Sequence, residues 1–192
     1  MKRTRGFTLV ELMVGLAIGM VLVLAAEHFL MTTLFANATG VKQQRFEQTL
    51  QALSGTMVSQ IRRAGYARPA ATLAMFGTKP YSVPGNDSDC IAFTHSTPTK
   101  DQVYFGFRLR NGAVHYFESM AAAPDCTNPS LTGWVAITDA TLVNFGSVRF
   151  WANPAEPALI NIALSAQGVD LTTPNGTPYS RTSNLAVRIR NM

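Results

Sequence analysis

The chain has 192 residues, 47% of them hydrophobic and only 14% charged, with a formal net charge of +5. That is enough for one domain of ordinary size plus an additional segment, and too apolar to be an evenly mixed soluble surface. The positive balance does not point to nucleic acid: Lys2, Arg3 and Arg5 precede the first apolar run, and removing those three from +5 leaves +2 for the rest.

The surplus hydrophobicity is concentrated at the N-terminus. From Phe7 to Ala26 the only ionisable residue is Glu11, and apolar character continues through Phe29, Leu30, Met31, Leu34 and Phe35. Twenty residues of helix span about 30 Å, the thickness of a bilayer's hydrocarbon core. Three readings fit residues 1–26. One is a secretory signal peptide cut near Ala25 and Ala26. Another is a plain anchor with its basic end in the cytoplasm. In the third, a leader is clipped before the apolar run, which stays as an assembly helix. Glu11 discriminates among them. A carboxylate in a membrane helix costs about 2.5–3.5 kcal/mol on insertion scales and is a functional candidate by default. Neither of the first two readings uses it. Cleavage between Gly6 and Phe7 does, because it creates an amine four residues before Glu11. In an apolar bundle that ammonium attracts a neighbouring subunit's carboxylate and sets the register.

The run Gly6-Phe7-Thr8-Leu9-Val10-Glu11-Leu12-Met13 resembles the processing signal of type IV prepilins and pseudopilins. The resemblance implies that an inner-membrane prepilin peptidase cuts after Gly6 and methylates Phe7. Gly15 and Gly19 form a small-xxx-small pair that permits close helix approach.

Beyond the membrane segment no proline occurs before Pro69, so one helix is expected from Phe7 to about Ala64, with Gly40 as a weak point. Phe46, Leu50, Leu53, Met57, Ile61 and Ala64 recur at spacings of four and three, which predicts one buried stripe. Gly65 suits the C-terminal cap, and Arg62 and Arg63 are favourable at its negative end. The pentad Arg62-Arg63-Ala64-Gly65-Tyr66 also resembles the helix end of PilW-like minor pilins.

From residue 67 the pattern changes to short strands. Val103–Arg110 and Ala113–Ser119 flank Asn111-Gly112, a strong hairpin signal. Further strands are expected at Cys90–His95, Val135–Thr138, Leu142–Trp151, Ala158–Ser165 and Asn184–Arg190, with loops at 77–89, 119–133, 152–157 and 168–183. The final strand resembles that of PilW-like proteins and of J-type pseudopilins of type II secretion. Cys90 and Cys126 form an even pair in an exported region, which favours a disulfide worth roughly 3–4 kcal/mol in the loop-entropy picture.

No catalytic constellation is visible, and no cofactor or metal is expected. His28, His95 and His115 lack ligand-spaced partners, and Asn86-Asp87-Ser88-Asp89 reads as a polar turn rather than a calcium loop. Tyr104, Phe105, Phe107, Tyr116 and Phe117 read as core or subunit contacts rather than a base-stacking platform.

The expected architecture is α+β: a long N-terminal helix, membrane-spanning in its first half, packed on an antiparallel sheet. Its divisions are a leader at 1–6, a membrane and assembly helix at 7–28, its amphipathic continuation at 29–65, and a β-rich periplasmic or extracellular head at 66–192. The resemblance implies a minor pilin, not an enzyme, whose partners are the prepilin peptidase, other minor and major pilins and the inner-membrane assembly platform. It implies a single-pass inner-membrane protein, cytoplasmic at its N-terminus and periplasmic at its head, that moves to a fibre or its tip. The alternatives are a type II secretion pseudopilin and a DNA-uptake or adhesive minor pilin. The near-neutral charge argues against strong phosphate-driven binding.

Overall fold

The computed structural model describes residues 8–192 apart from 70, 129 and 174, together with no side chain for residue 86. Gly6 and Phe7 lie outside the described residues. The chain divides into two compact units, Met1–Lys42 and Gln43–Met192. Helix α1 (Leu9–Arg62, 54 residues) contributes to both, and Gly40 falls inside it.

In the first unit every large apolar side chain from Leu9 to Val41 is exposed. In the second, α1 buries Phe46, Leu50, Leu53, Met57 and Ile61, the stripe anticipated from their spacing. Each such burial is worth roughly 1.5–3 kcal/mol relative to exposure. The stripe shares one core with the inner faces of two antiparallel sheets. One sheet has five strands, in the order β1 (Tyr81–Ser82), β3 (Cys90–His95), β4 (Val103–Arg110), β5 (Ala113–Ser119) and β6 (Trp134–Ala136). The other has four, in the order β2 (Asp87–Ser88), β7 (Val143–Asn153), β8 (Glu156–Thr172) and β9 (Pro178–Arg188). The chain therefore has the α+β, pilin-like layout of a long N-terminal helix packed on antiparallel β-structure, with the strands divided between two sheets.

Side-chain alternation explains most of this. In β8, Ile160, Ile162, Leu164 and Ala166 point inward and are buried. In β7 the alternation shifts between Phe145 and Ser147, where a bulge interrupts the register with β8. All six residues of β3 are buried. One face meets the core, and the other lies beneath the 120–133 loop, whose Pro124 sits close to Gly106 beside Ile91. The Asn111-Gly112 turn joins β4 and β5 with φ of 51° and 74°, the paired positive values of a two-residue hairpin loop.

Two expectations need correcting. Residues 168–183 are largely strand rather than loop: β8 continues to Thr172, and β9 begins at Pro178, opposite it. Within that range Gly168 and Asp170 (φ 53°) accompany a register shift in the β8–β9 ladder. The first half of β9 is mostly exposed, so no apolar alternation marked it. Within the expected 77–89 loop, β1 and β2 supply short edge pairings to β3 and β7.

Candidate functional site

The described chain opens with Thr8, immediately before α1. The Thr8 backbone N–H and hydroxyl both donate to Glu11 Oε2, each at 2.9 Å. In return the Glu11 N–H donates to Thr8 Oγ1 at 3.3 Å. This is a reciprocal capping box, which satisfies donors that the first turn of a helix otherwise leaves without partners. A carboxylate there also favours the positive end of the helix dipole. Sequence reasoning missed Thr8, although Thr-x-x-Glu before an apolar run is the signal that finds it. Among the described residues nothing donates to Glu11 Oε1, so one carboxylate oxygen stays available for a partner.

Around Glu11 the helix surface is wholly apolar. Leu9 and Val10 are 75% and 68% exposed, and a window of 18 residues is apolar enough to cross a membrane. An alanine methyl at Gly15 or Gly19 would meet no atom within 4 Å, so both glycines leave the helix backbone open to approach. Further along, Thr32 donates to the His28 and Phe29 carbonyls, Thr33 to Phe29 and Thr39 to Phe35. These hydroxyls turn back onto the helix carbonyls, which leaves Asn37 as the polar side chain of residues 29–41 that is not back-bonded among the described residues. Such a surface requires lipid or other helices around it.

The second unit holds the remaining candidates. Cys90, at the start of β3, and Cys126, in the loop after β5, are joined by a disulfide with Cα atoms 5.6 Å apart. Arg108 supports the same loop from beneath: its Nη1 donates to the carbonyls of Asn128 and Ser130 at 2.5 and 3.4 Å, and its guanidinium lies 5.9 Å from the Trp134 ring centre. His95 is buried and stacked 4.2 Å from Phe105, while His115 is buried on β5. Burial pushes the His95 pKa down, partly opposed by the Ser96 carbonyl. Among the described residues no three His, Cys, Asp or Glu side chains converge as a metal site. Asp87, in the oxygen-rich turn, is engaged by Arg149 through two hydrogen bonds. Phe105, Phe107 and Phe117 are buried, which makes them core.

The start of the packed helical stretch is tied to β9 by a polar cluster. Tyr179 donates to Glu47 Oε1 at 2.7 Å, Arg181 Nε donates to the same oxygen at 3.0 Å, and Gln43 donates to Tyr179 at 3.0 Å. The Tyr179 hydroxyl, and then Arg181, hold the Glu47 pKa below its usual value. Phe46 packs edge-on against Tyr179 beneath this cluster.

Two family profiles match. "Prepilin peptidase-dependent protein B" covers residues 39–189, and "Prokaryotic N-terminal methylation motif" covers residues 1–26. Prepilin peptidase-dependent protein B of Escherichia coli K12 is 26% identical over 187 residues, spanning 94% of this chain and 96% of that protein. In fold, the chain is similar to a type IV-like pilin from Thermus thermophilus, with a TM-score of 0.51 and 11% identity over 77% of this chain and 98% of that one. Processing by prepilin peptidase, membrane anchoring before assembly and pilus-type assembly follow from these matches together with the apolar helix. The chain belongs to the prepilin peptidase-dependent protein B family, within the type IV pilin-like proteins, and is a structural protein rather than an enzyme.

Proposed function

We propose that the chain is a PilW-like minor pilin that helps initiate or build a type IV pilus. It is made with a leader at 1–6, cut between Gly6 and Phe7, and methylated at Phe7. Residues 7–28 then hold it in the inner membrane, with the leader side cytoplasmic, residues 29–65 continuing the helix and the 66–192 head periplasmic. The assembly platform moves it into a bundle with other minor and major pilins.

One observation carries this reading. The only carboxylate between Leu9 and Ala26 sits on the first turn of the helix, with one oxygen held by Thr8 and the other open. An uncompensated carboxylate there costs about 2.5–3.5 kcal/mol on insertion scales. A Phe7 ammonium from an adjoining subunit offsets that cost only when the helices are in register, so Glu11 converts an unfavourable burial into an alignment signal.

The test is the N-terminal residue and intact mass of the protein from its native membrane, for wild type and for Glu11→Val. A start at Phe7 bearing one methyl in both, with incorporation into fibres at least tenfold lower for the variant, supports the reading. A start near Ala26 marks an ordinary signal peptide, and the proposal then fails. Deletion separates the roles: loss of surface pili with exported enzymes unchanged is expected, and the reverse identifies a secretion pseudopilin.

A further inference from the structure

The C-terminal end of α1 meets β3 and the last residues of the chain in a tight junction. The Gly65 N–H donates to the Thr94 carbonyl at 2.9 Å, Ser96 N–H to the Tyr66 carbonyl at 2.7 Å, and Arg190 N–H to the Arg62 carbonyl at 3.4 Å. These bonds border two adjoining clefts of about 500 and 390 Å³ that share Arg63 and Tyr66. Arg68 and His95 line one, and Arg62 and Arg190 line the other.

The arginines are in excess of what the fold uses. Arg62, Arg63 and Arg190 are exposed, and none of the four ion pairs among the described residues engages them. Only Arg68 has a carboxylate, Asp101, at 3.3 Å. Their guanidinium groups are not needed to cap the helix either. The carbonyls of Gln60, Ile61, Arg62 and Arg63 already accept the backbone N–H groups of Arg63, Ala64, Arg190 and Tyr66. The helix dipole favours cations at this end, but that field occupies none of the guanidinium donors of Arg62, Arg63 or Arg190. Three unpaired, planar, five-donor forks around two small clefts match carboxylates, which they bind in bidentate fashion.

We infer that this double cleft is an interaction surface for an acidic segment of an adjoining subunit, whose Asp or Glu side chains enter the two clefts on either side of Tyr66. The inference rests on the assembly reading above, which supplies the neighbouring polypeptide. A nucleic-acid strand is less suited. Three free cations neutralise about three phosphates, giving weak attraction at physiological salt, and their side chains line two small clefts rather than a long continuous track.

The test uses the full-length protein in detergent, titrated with a fluorescein-labelled hexaglutamate peptide and, separately, with a labelled single-stranded hexanucleotide. The variants are the triple Arg62→Ser/Arg63→Ser/Arg190→Ser, the corresponding triple Lys variant, and Arg149→Ser as a control. The expected result is peptide affinity at least tenfold weaker in the Ser triple, partly retained in the Lys triple, unchanged in Arg149→Ser, and falling with salt. Peptide binding unaltered in the Ser triple, or a hexanucleotide bound tenfold more tightly than the peptide by wild type, overturns the inference. Intact mass is read on the same preparations. A start at Phe7 with no peptide effect refutes only the cleft, whereas a start near Ala26 refutes the assembly reading itself.

Discussion

Replacing Gly65 by alanine probes the junction on which the helix end depends. Gly65 has φ of +79°, and an alanine methyl there would lie 2.1 Å from the Asn191 backbone oxygen and 3.1 Å from Pro80 Cγ. The left-handed conformation alone costs an L-residue about 1–2 kcal/mol. The methyl also collides with a backbone atom, so the C-terminal segment must shift and strain the bonds from Gly65 to Thr94 and from Arg190 to Arg62. Each is worth about 0.5–1.5 kcal/mol net. The total is about 2–5 kcal/mol, or a melting temperature lower by roughly 4–20 °C for a chain of this size. Gly77→Ala provides the control. Its φ is +67° but nothing lies within 4 Å of the added methyl, so only the conformational cost of about 1–2 kcal/mol applies. Thermal unfolding of the detergent-solubilised protein, followed by near-ultraviolet circular dichroism, measures both. Equal melting temperatures for the two variants would falsify the claim that the Asn191 carbonyl is held rigidly against the helix end.

Further outcomes follow from the same structure. The Cys90→Ala/Cys126→Ala double variant releases a link across a sequence separation of 36. Its urea midpoint should correspond to a loss of about 3–4 kcal/mol; a loss below about 1 kcal/mol would mean that Arg108 alone secures the loop. Met57→Ala empties a fully buried site among the two sheets and should cost about 2–5 kcal/mol, measured by the same denaturation. Stability should also fall with acid in two stages. His95 has its pKa depressed by burial, so its contribution is complete above about pH 6.5 and declines as pH falls toward the folded value. Glu47 has its pKa lowered by Tyr179 and then Arg181, so its contribution is complete above about pH 4.3 and is lost as pH falls through the folded value. Asp125 and Asp139 are held below their usual values by Thr127 and Thr141 and share the second stage, so Glu47→Gln should reduce that stage and leave the first unchanged; a reduction of the first instead would contradict the assignment.

The extent of sequence-level legibility varies along the chain for physical reasons. A membrane helix declares itself because lipid demands an uninterrupted apolar run, and Glu11 stands out against that background. The stripe from Phe46 to Ile61 was equally visible, since a helix facing a core repeats at three and four residues. The hairpin around Asn111-Gly112 followed from local backbone preference. By contrast, the first half of β9 was hidden because its residues face solvent on an outer strand and need no apolar alternation. The bulge that carries β8 past Gly168 was hidden because glycine signals a loop and a bulge alike.

Local composition alone thus determined that the chain has an apolar N-terminal helix with a carboxylate near its start, an amphipathic continuation and a β-rich remainder. Those features depend on neighbours a few residues apart, and periodicity records them. The cap of Glu11 on Thr8 is also local, and its Thr-x-x-Glu spacing is written in the sequence. Only the tertiary structure decided that the strands divide between two sheets and that Arg190 lies beside Arg62 and Arg63, because both depend on contacts between residues distant in sequence.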